Sequence, residues 1–193
     1  MCGRYGRTTA AAVFAEMIGA RVSERLDDRP AYNIAPGLFH PIGLRSPKDR
    51  SLAIGPAWWG FTPSWASDTK VQPVNARSET AHEKPMFRKA FQNQRCVIPL
   101  DWWIEWYRTD SGKQPYAIRP TDVATERREK APFFLAGLWN KAPEIEGFEG
   151  SGKVTYTILT QKPHPDIAGV HDRQPVALTV DDVNAWLDEE AGN

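Results

Sequence analysis

Several features that mark common protein classes are scarce in this sequence of 193 residues. Only two cysteines occur, Cys2 and Cys96, which are too few for a disulfide framework or a Cys/His zinc cluster. No apolar run reaches the roughly 18 residues of a membrane span, and no basic segment followed by an apolar stretch marks a signal peptide. We therefore expect a soluble, cytoplasmic protein without metal or other cofactor.

A net charge of one sign is also missing, because 24 Lys and Arg residues balance 24 Asp and Glu residues. The total charge thus does not point to nucleic acid as a partner. The distribution is uneven, since residues 1–108 hold 15 basic and 10 acidic side chains, whereas residues 109–193 hold 9 and 14. The basic half can form a phosphate-facing surface, and chance clustering is the alternative.

The spacing of apolar residues predicts one β-rich domain of the α+β class over residues 1–193. Predicted helices cover 10–18, 84–92 and 181–190, and predicted strands cover 52–61, 95–99, 102–107, 116–119, 133–139, 154–160 and 176–180. We expect Thr8 and Thr9 to cap the first helix and Asp181 to cap the last. Residues 20–50 are predicted to be mostly loop, and residues 110–113 form a hairpin turn.

Cys2 is the first feature that points to chemistry. A small residue at position two normally permits removal of the initiator methionine, which leaves an α-amine beside the thiol. Both groups titrate near neutral pH, so each is partly nucleophilic. A 1,2-aminothiol condenses with an aldehyde to a thiazolidine, and a ring-opened abasic deoxyribose offers that aldehyde. Cys2 alone leaves open an arbitrary second residue, but the following Gly3 and Arg4 favour close approach of a phosphate.

The polar run 75–80 interrupts apolar segments. Asn75 is a neutral donor that suits a sugar or a terminal amine, and Arg77 suits a phosphate. A capped loop before the next helix is the alternative interpretation.

Glu105 and His171 are candidate proton carriers. A glutamate within the apolar segment 102–106, which holds three tryptophans, is expected to have a raised pKa and to exchange protons near neutrality. Simple strand alternation with Glu105 in solvent is the alternative. His171 is the natural acid/base near neutral pH, with Asp172 to fix its tautomer, and a purely structural histidine is the alternative.

Aromatic residues give a weaker signal. The sequence has 8 tryptophans, and aromatic side chains cluster between Trp58 and Trp65. Unpaired bases stack on such rings, which suits single-stranded DNA. Core packing explains the same residues, because tryptophan buries a large area.

Nine short segments, in order along the chain, resemble the SRAP family (SOS-response-associated peptidases, which include the 5-hydroxymethylcytosine-binding, embryonic-stem-cell-specific protein of vertebrates). They are 1–5, 32–36, 59–61 with Pro63 and Trp65, 75–80, 84–88, 95–99, 105–106, 136–139 and 171–175. Each segment is unremarkable by itself, but their combination in this order is specific.

The resemblance implies a fold and an activity. The fold would be an open or barrel-like, mostly antiparallel sheet with a few short helices. A monomer would capture abasic sites covalently in single-stranded DNA, including single-strand/duplex junctions, and would shield them in the SOS response. It would associate with the nucleoid when bound to DNA. The family name implies peptidase activity as removal of its own Met1, and an abasic-site lyase activity through the imine fits the same chemistry.

The resemblance also implies residue roles. Cys2 would form the thiazolidine and Asn75 would hydrogen-bond beside it. Glu105 and His171 would move protons during sugar ring opening, imine formation and reversal. Phosphates or the sugar would be held by Arg4, Asn33, Arg77 and Arg173. Pro36 and Trp65 would wedge or stack at the single-strand/duplex junction, and Thr160 would lie on the strand that lines the cleft.

Two departures from the family pattern stand out. The family usually has Ala-Asp-Gly-Phe-Tyr-Glu-Trp around the glutamate, whereas this chain has Trp102 in place of the glycine. We expect Trp102 to alter the backbone beside Glu105. Gln174 replaces the usual Met or Arg after the His-Asp-Arg triplet, which is a mild change.

Two other functions begin from the same residues. Class II glutamine amidotransferases also start with Met-Cys-Gly and use an N-terminal thiolate on an amide, but their further motifs are not visible here. A non-catalytic binder of single-stranded DNA would explain the arginines and aromatics, although not Glu105 together with His171.

Overall fold

The computed structural model describes residues 2–120 and 132–188. Its strands are β1 (Tyr5–Arg7), β2 (Arg21–Val22), β3 (Ala31–Ile34), β4 (Phe39–Arg45), β5 (Leu52–Trp59), β6 (Asn75–Arg77), β7 (Arg95–Leu100), β8 (Trp102–Thr109), β9 (Gly112–Ile118), β10 (Phe133–Lys141), β11 (Val154–Gln161), β12 (Gln174–Pro175) and β13 (Ala177–Leu178). Its helices are α1 (Ala11–Ile18), α2 (Ser78–Ala81), α3 (Arg88–Asn93), α4 (Pro165–Ala168) and α5 (Val180–Leu187).

Five strands form a closed barrel. They pair in the order β5, β4, β7, β10 and β11, and β11 returns to pair in parallel with β5. The other four pairings of the ring are antiparallel. Closure leaves no free edge on these strands, so their backbone groups are paired within the protein. The predicted barrel-like, mostly antiparallel architecture is therefore confirmed.

The barrel strands are apolar on both faces because the interior is filled and the exterior is covered. All residues of β7 are buried, and β10 is buried from Phe133 to Asn140. Helices α1 and α5 pack on the outside, where Phe14 meets Phe134 edge to face with ring centroids 5.5 Å apart. Within the described ranges, no helix combines the length and hydrophobicity needed to cross a membrane.

A separate four-stranded antiparallel sheet carries the beginning of the chain. Its strand order is β3, β1, β8 and β9, so β1 is an inner strand. Tyr5 of β1 lies opposite Trp103 of β8, and both are buried in the core together with Cys2. The sheet thus brings the N-terminal segment beside the strand that holds Glu105.

Two buried polar contacts fix β1 in this position. Asp101 accepts hydrogen bonds from the backbone N–H and the hydroxyl group of both Thr8 and Thr9. Arg7 is 2% exposed and forms an ion pair with Asp28 at 2.8 Å. The prediction that Thr8 and Thr9 cap α1 is wrong, because their hydroxyl groups serve Asp101 and the cap position is Ala10.

The structure refines one further prediction and corrects another. Residues 20–50 are mostly loop, as predicted, but they also contain strands β2, β3 and the seven-residue β4, of which the longest, β4, was not predicted. Pro41 and Gly43 obscure β4 in the sequence, yet Gly43 suits it because a Cβ there would lie 2.9 Å from Val97 on the neighbouring strand. The cap of α5 is Thr179 rather than Asp181, and Thr179 forms a reciprocal capping box with Asp182.

Several predicted boundaries shift as well. The helix expected over 84–92 begins only at Arg88, and the strand expected over 176–180 is reduced to Ala177–Leu178. The helix expected over 181–190 ends at Leu187, with Asp188 at its cap position, and residues 189 and 190 lie outside the described residues. The other predicted strands and the hairpin turn at 110–113 are confirmed, with differences of a few residues at their ends.

We expect Asp101→Asn to destabilise the fold by about 2 kcal/mol, because hydrogen bonds to a charged acceptor are lost at a buried position. Burial alone would raise the pKa of Asp101, but the hydrogen bonds from Thr8 and Thr9 hold it below its ordinary value. The stability that Asp101 contributes is therefore full above the unfolded-state pKa and disappears as the pH falls through the folded-state pKa.

Urea unfolding at pH 7 and at pH 3 measures this contribution. The difference between wild type and Asp101→Asn should be large at pH 7 and smaller at pH 3. Asp110→Asn, in the exposed hairpin turn, is the matched control and should change little at either pH. An equal loss of stability in both variants would contradict the assigned role of Asp101.

Candidate functional site

A cavity of about 1050 Å³ brings together six of the residues singled out in the sequence. These are Trp65, Asn75, Arg77, Thr160, His171 and Arg173. The pairing of β6 with β11 explains part of this convergence, because it places Asn75 beside Ile158 and Arg77 beside Thr160 in parallel register. Residues that are 83 positions apart in the sequence therefore share one wall.

A second cavity, of about 300 Å³, is lined by Glu105, Trp106, Arg108, Lys113 and His171. His171 belongs to both cavities and therefore joins them. Glu105 and His171, the two proposed proton carriers, thus face one common space although they come from β8 and from the segment after α4.

Cys2 is fully buried in the core and is linked to the large cavity through Asn75. Its carbonyl oxygen accepts a hydrogen bond of 2.9 Å from Nδ2 of Asn75, and its Sγ is 3.8 Å from the carbonyl oxygen of Arg4. Burial raises the pKa of the Cys2 thiol, and the nearby carboxyl group of Glu105 raises it further. The thiol is therefore held in its protonated form.

Asn75 has one satisfied and one unsatisfied polar atom among the described residues. Its Nδ2 donates to the Cys2 carbonyl, whereas Oδ1 is buried without a hydrogen-bond partner in the described part of the chain. A buried acceptor without a donor is costly, so Oδ1 is prepared to accept a hydrogen bond from a ligand or a terminal amine.

Glu105 and His171 differ in their surroundings. Glu105 is 2% exposed, and burial raises the pKa of its carboxyl group. The side chain of His171 is 29% exposed. Its Nδ1 accepts from the backbone N–H of Arg173 at 3.0 Å and lies 2.9 Å from Oδ1 of Asp172. Both contacts involve Nδ1 and orient the imidazole ring.

Arg173 is already bound to an anion within the protein. Its two terminal nitrogens donate to the two carboxylate oxygens of Glu79 at 2.7 and 2.8 Å, and Nη2 also donates to the Thr160 carbonyl at 2.6 Å. Arg173 lowers the pKa of Glu79 to about 2. The sequence analysis assigned no role to Glu79, because its partner Arg173 is 94 residues away and no local sequence pattern predicts that the two side chains pair.

The remaining predicted residues occupy the surroundings of the cavities. Nη1 of Arg4, the residue before β1, donates to Oδ1 of Asn33 on β3 at 3.2 Å in an exposed pair. Trp65 is 67% exposed at the mouth of the large cavity. Pro36 lies half-buried in the turn before Gly37. Arg4, Asn33 and Pro36 line neither cavity among the residues that the structure describes.

Trp102 does not disturb the strand that carries Glu105, so the expected change in backbone geometry is not found. Trp102 pairs in register with Gly6 of β1, and β8 continues regularly through Glu105. The indole lies across Gly6, where any side chain would overlap it. Arg119 covers the ring at 5.1 Å from its centroid. Glycine at position 6 therefore accommodates the tryptophan at position 102.

Sequence reasoning also missed some residues that line the cavities. Lys84 and Met86 belong to the large cavity, and Arg108 and Lys113 to the small one. Lys84 and Met86 lie in the family-like segment 84–88, which was given no role in the site, whereas the positions of Arg108 and Lys113 follow from the tertiary arrangement and carry no local sequence signal. No group of three or more His, Cys, Asp or Glu side chains that could hold a metal ion occurs in the described ranges.

Comparison with known proteins shows extensive similarity. The chain is 34% identical to the abasic site processing protein YoaM of Bacillus subtilis over 194 residues, which cover 97% of this chain and 79% of YoaM. It is 29% identical to the abasic site processing protein YedK of Escherichia coli over 98% of this chain and 81% of YedK. The abasic site processing protein HMCES of Xenopus tropicalis is 30% identical over 97% of this chain and 66% of HMCES.

Solved structures share the fold of this chain. A phage-related protein from Bordetella bronchiseptica superimposes with a TM-score of 0.73 at 29% identity and covers 98% of this chain and 83% of that protein. A protein from Bacteroides thetaiotaomicron has a TM-score of 0.78 at 22% identity, over 97% of this chain and 82% of that protein, and shares the fold. The sequence profile of SOS response associated peptidase (SRAP) matches residues 1–193. The chain therefore belongs to the SRAP family.

Proposed function

We propose that this protein processes abasic sites in single-stranded DNA and that Cys2, once Met1 is removed, captures them in a covalent thiazolidine. One observation carries this proposal: Asn75 binds the backbone of Cys2 at the wall of a cavity that also holds His171 and adjoins Glu105. Several relatives bear the name abasic site processing protein, which supports the same substrate.

The reaction needs no oxidant or cofactor. The α-amine of Cys2 attacks the aldehyde carbon of the ring-opened deoxyribose, and loss of water gives an imine. The thiol then adds to the imine carbon, so that a C–S bond forms and the nitrogen gains the proton from sulfur. The product is a five-membered ring that links Cys2 to the DNA, and intact DNA lacks the aldehyde that the first step requires.

The state of the thiol sets the order of these steps. Because burial raises the pKa of Cys2, a thiolate is disfavoured before substrate arrives and the amine is the first nucleophile. The unpartnered Oδ1 of Asn75 is suited to accept a hydrogen bond from this amine. Glu105, which keeps a proton at higher pH than an exposed carboxyl group, is suited to protonate the leaving hydroxyl group.

The DNA strand would follow the large cavity. Arg77 is exposed on its wall and can meet a phosphate, and Arg173 can bind one by exchanging the Glu79 carboxylate for it. Trp65 offers an exposed ring at the mouth on which an unpaired base or the last pair of a duplex can stack. The strongly exposed tryptophan favours single strands and junctions over continuous duplex.

Two finer activities belong to the same proposal. Removal of Met1 would depend on the nucleophile at Cys2 and the proton carriers beside it. Strand cleavage at the abasic site would proceed from the imine by β-elimination, before the thiol closes the ring: a base removes a proton from C2′, a C2′–C3′ double bond forms and the 3′ phosphate leaves. Both use the residues that surround the joined cavities and require no further group.

We expect the mature protein to form a covalent complex with a single-stranded oligonucleotide that carries one abasic site, because Cys2 supplies both nucleophiles. Cys2→Ala removes the thiol and should abolish the product that survives a denaturing gel. The measurement is the shifted band on that gel, with intact mass spectrometry to verify that Met1 is absent.

Cys96→Ala is the matched control, because Cys96 is the other buried thiol of the chain and lies in barrel strand β7. It should retain the shifted band, and an oligonucleotide without an abasic site should give none. If processed wild type gives no band, covalent capture is wrong. A band that persists in Cys2→Ala but disappears in Cys96→Ala would move the reaction to the other thiol.

We expect Glu105→Gln to slow crosslinking by about a hundredfold, the scale of one general acid/base group, and to stabilise the fold at neutral pH. Because burial raises the folded-state pKa of Glu105, the unfolded chain releases this proton at lower pH than the folded protein does. Stability from this residue therefore falls as the pH rises from the ordinary glutamate pKa to the raised value.

Thermal unfolding at pH 4 and at pH 7.5 tests whether the stability contribution of Glu105 falls as the pH rises. The melting temperature of Glu105→Gln relative to wild type should be higher at pH 7.5 than at pH 4. Glu16→Gln, on the exposed face of α1, is the control and should show no such trend. A pH-independent difference for Glu105→Gln would show that its carboxyl group titrates like an exposed one.

A further inference from the structure

The hairpin of β8 and β9 carries two cations directly opposite each other. Arg108 of β8 pairs with Lys113 of β9, next to the turn at 110–112. Both side chains are exposed, and no ion pair between described residues includes either of them. Like charges in directly opposed positions of an antiparallel pair destabilise the sheet. The hairpin therefore bears a local cost that a bound anion would remove.

These cations line the smaller cavity, of about 300 Å³, together with Glu105 and His171. Trp106 completes the lining two positions before Arg108 on the same strand, so these two side chains share the outer face of the hairpin, whereas the buried Glu105 meets the cavity from the opposite face. His171 is shared with the large cavity that holds Arg77 and Arg173. An anion at Arg108 and Lys113 would thus lie on the far side of the proton carriers from those two arginines.

We infer that Arg108 and Lys113 bind a backbone phosphate of the nucleotide that flanks the abasic residue, on the side away from Arg77 and Arg173. This inference rests on the proposed function, since it extends the path of the same single strand. Two cations at the Cβ spacing of an opposed pair suit one phosphate between them. The ring of Trp106 provides an apolar wall for the base of that nucleotide.

The third cavity supplies a matched control. It measures about 670 Å³ and is lined by Arg25 and Lys153, which are also exposed, but it shares no residue with the two joined cavities. Removal of Arg25 and Lys153 changes the net charge by the same two units as removal of Arg108 and Lys113. A general electrostatic effect would therefore weaken DNA binding equally in both double variants.

The experiment compares wild type, Arg108→Ala/Lys113→Ala and Arg25→Ala/Lys153→Ala on single strands with a central abasic site. The readout is the protein concentration that gives half-maximal crosslink on a denaturing gel. We expect this concentration to increase about tenfold for Arg108→Ala/Lys113→Ala, because charged hydrogen bonds to the phosphate are lost. Arg25→Ala/Lys153→Ala should leave it unchanged. Two shorter oligonucleotides, one that begins and one that ends at the abasic residue, each lack the nucleotide on one side of it. With the oligonucleotide that lacks the nucleotide bound by Arg108 and Lys113, the Arg108→Ala/Lys113→Ala variant and wild type should need the same protein concentration.

Failure of the inference and failure of the proposed function give different results. If wild type forms no crosslink, the proposed function falls whatever the variants do. If wild type crosslinks and the two double variants behave alike, Arg108 and Lys113 form no phosphate site. If the half-maximal concentration of Arg108→Ala/Lys113→Ala rises equally with all oligonucleotides, including both truncated ones, the inferred phosphate site is also wrong.

Lys113→Glu separates binding from folding. The substitution replaces a repulsive cross-strand pair by an attractive one, so the melting temperature should be equal to or higher than that of wild type. The half-maximal concentration should nevertheless rise at least as far as in the double variant. A variant that is stable and still crosslinks like wild type would exclude a phosphate at this position.

Discussion

The inner position of β1 is the constraint on which the rest of the site depends. A strand at the start of a chain usually frays, but here it lies between β3 and β8 and is fixed by Asp101 and by the Arg7–Asp28 pair. Cys2 precedes this strand by only a few residues, so its position is determined nearly as well as that of a core residue. The candidate nucleophile is therefore rigid before any substrate arrives.

Burial then determines the reactivity of the groups that meet there. The same exclusion of water raises the pKa of the Cys2 thiol and of the Glu105 carboxyl group, and both effects favour neutral forms. A site with neutral groups can accept a phosphodiester strand without strong repulsion from its own carboxylate. The cost is stability, because a carboxyl group that is kept from water at neutral pH opposes folding.

The sequence predicts the elements whose apolar pattern is continuous and misses those whose pattern is interrupted. Strands β7, β10 and β11 are evident from their uniform hydrophobic runs, whereas Pro41 and Gly43 conceal β4. The predicted site residues around the large cavity could be proposed because a family resemblance joined them. The Glu79–Arg173 pair and the Arg108–Lys113 pair could not, since each depends on strand register or on a contact between distant segments.

The bidentate pair of Glu79 and Arg173 changes what salt titrations would report about this protein. Each phosphate that a protein neutralises on a single strand releases counterions and adds about 0.7 to the slope of log affinity against log salt. If a phosphate replaced Glu79 on Arg173, as proposed, the displaced carboxylate would attract cations from solution at the same time. Cation uptake at Glu79 would offset part of the counterion release from the DNA strand. The number of contacted phosphates calculated from the salt dependence of binding would therefore be smaller than the number that actually contact the protein.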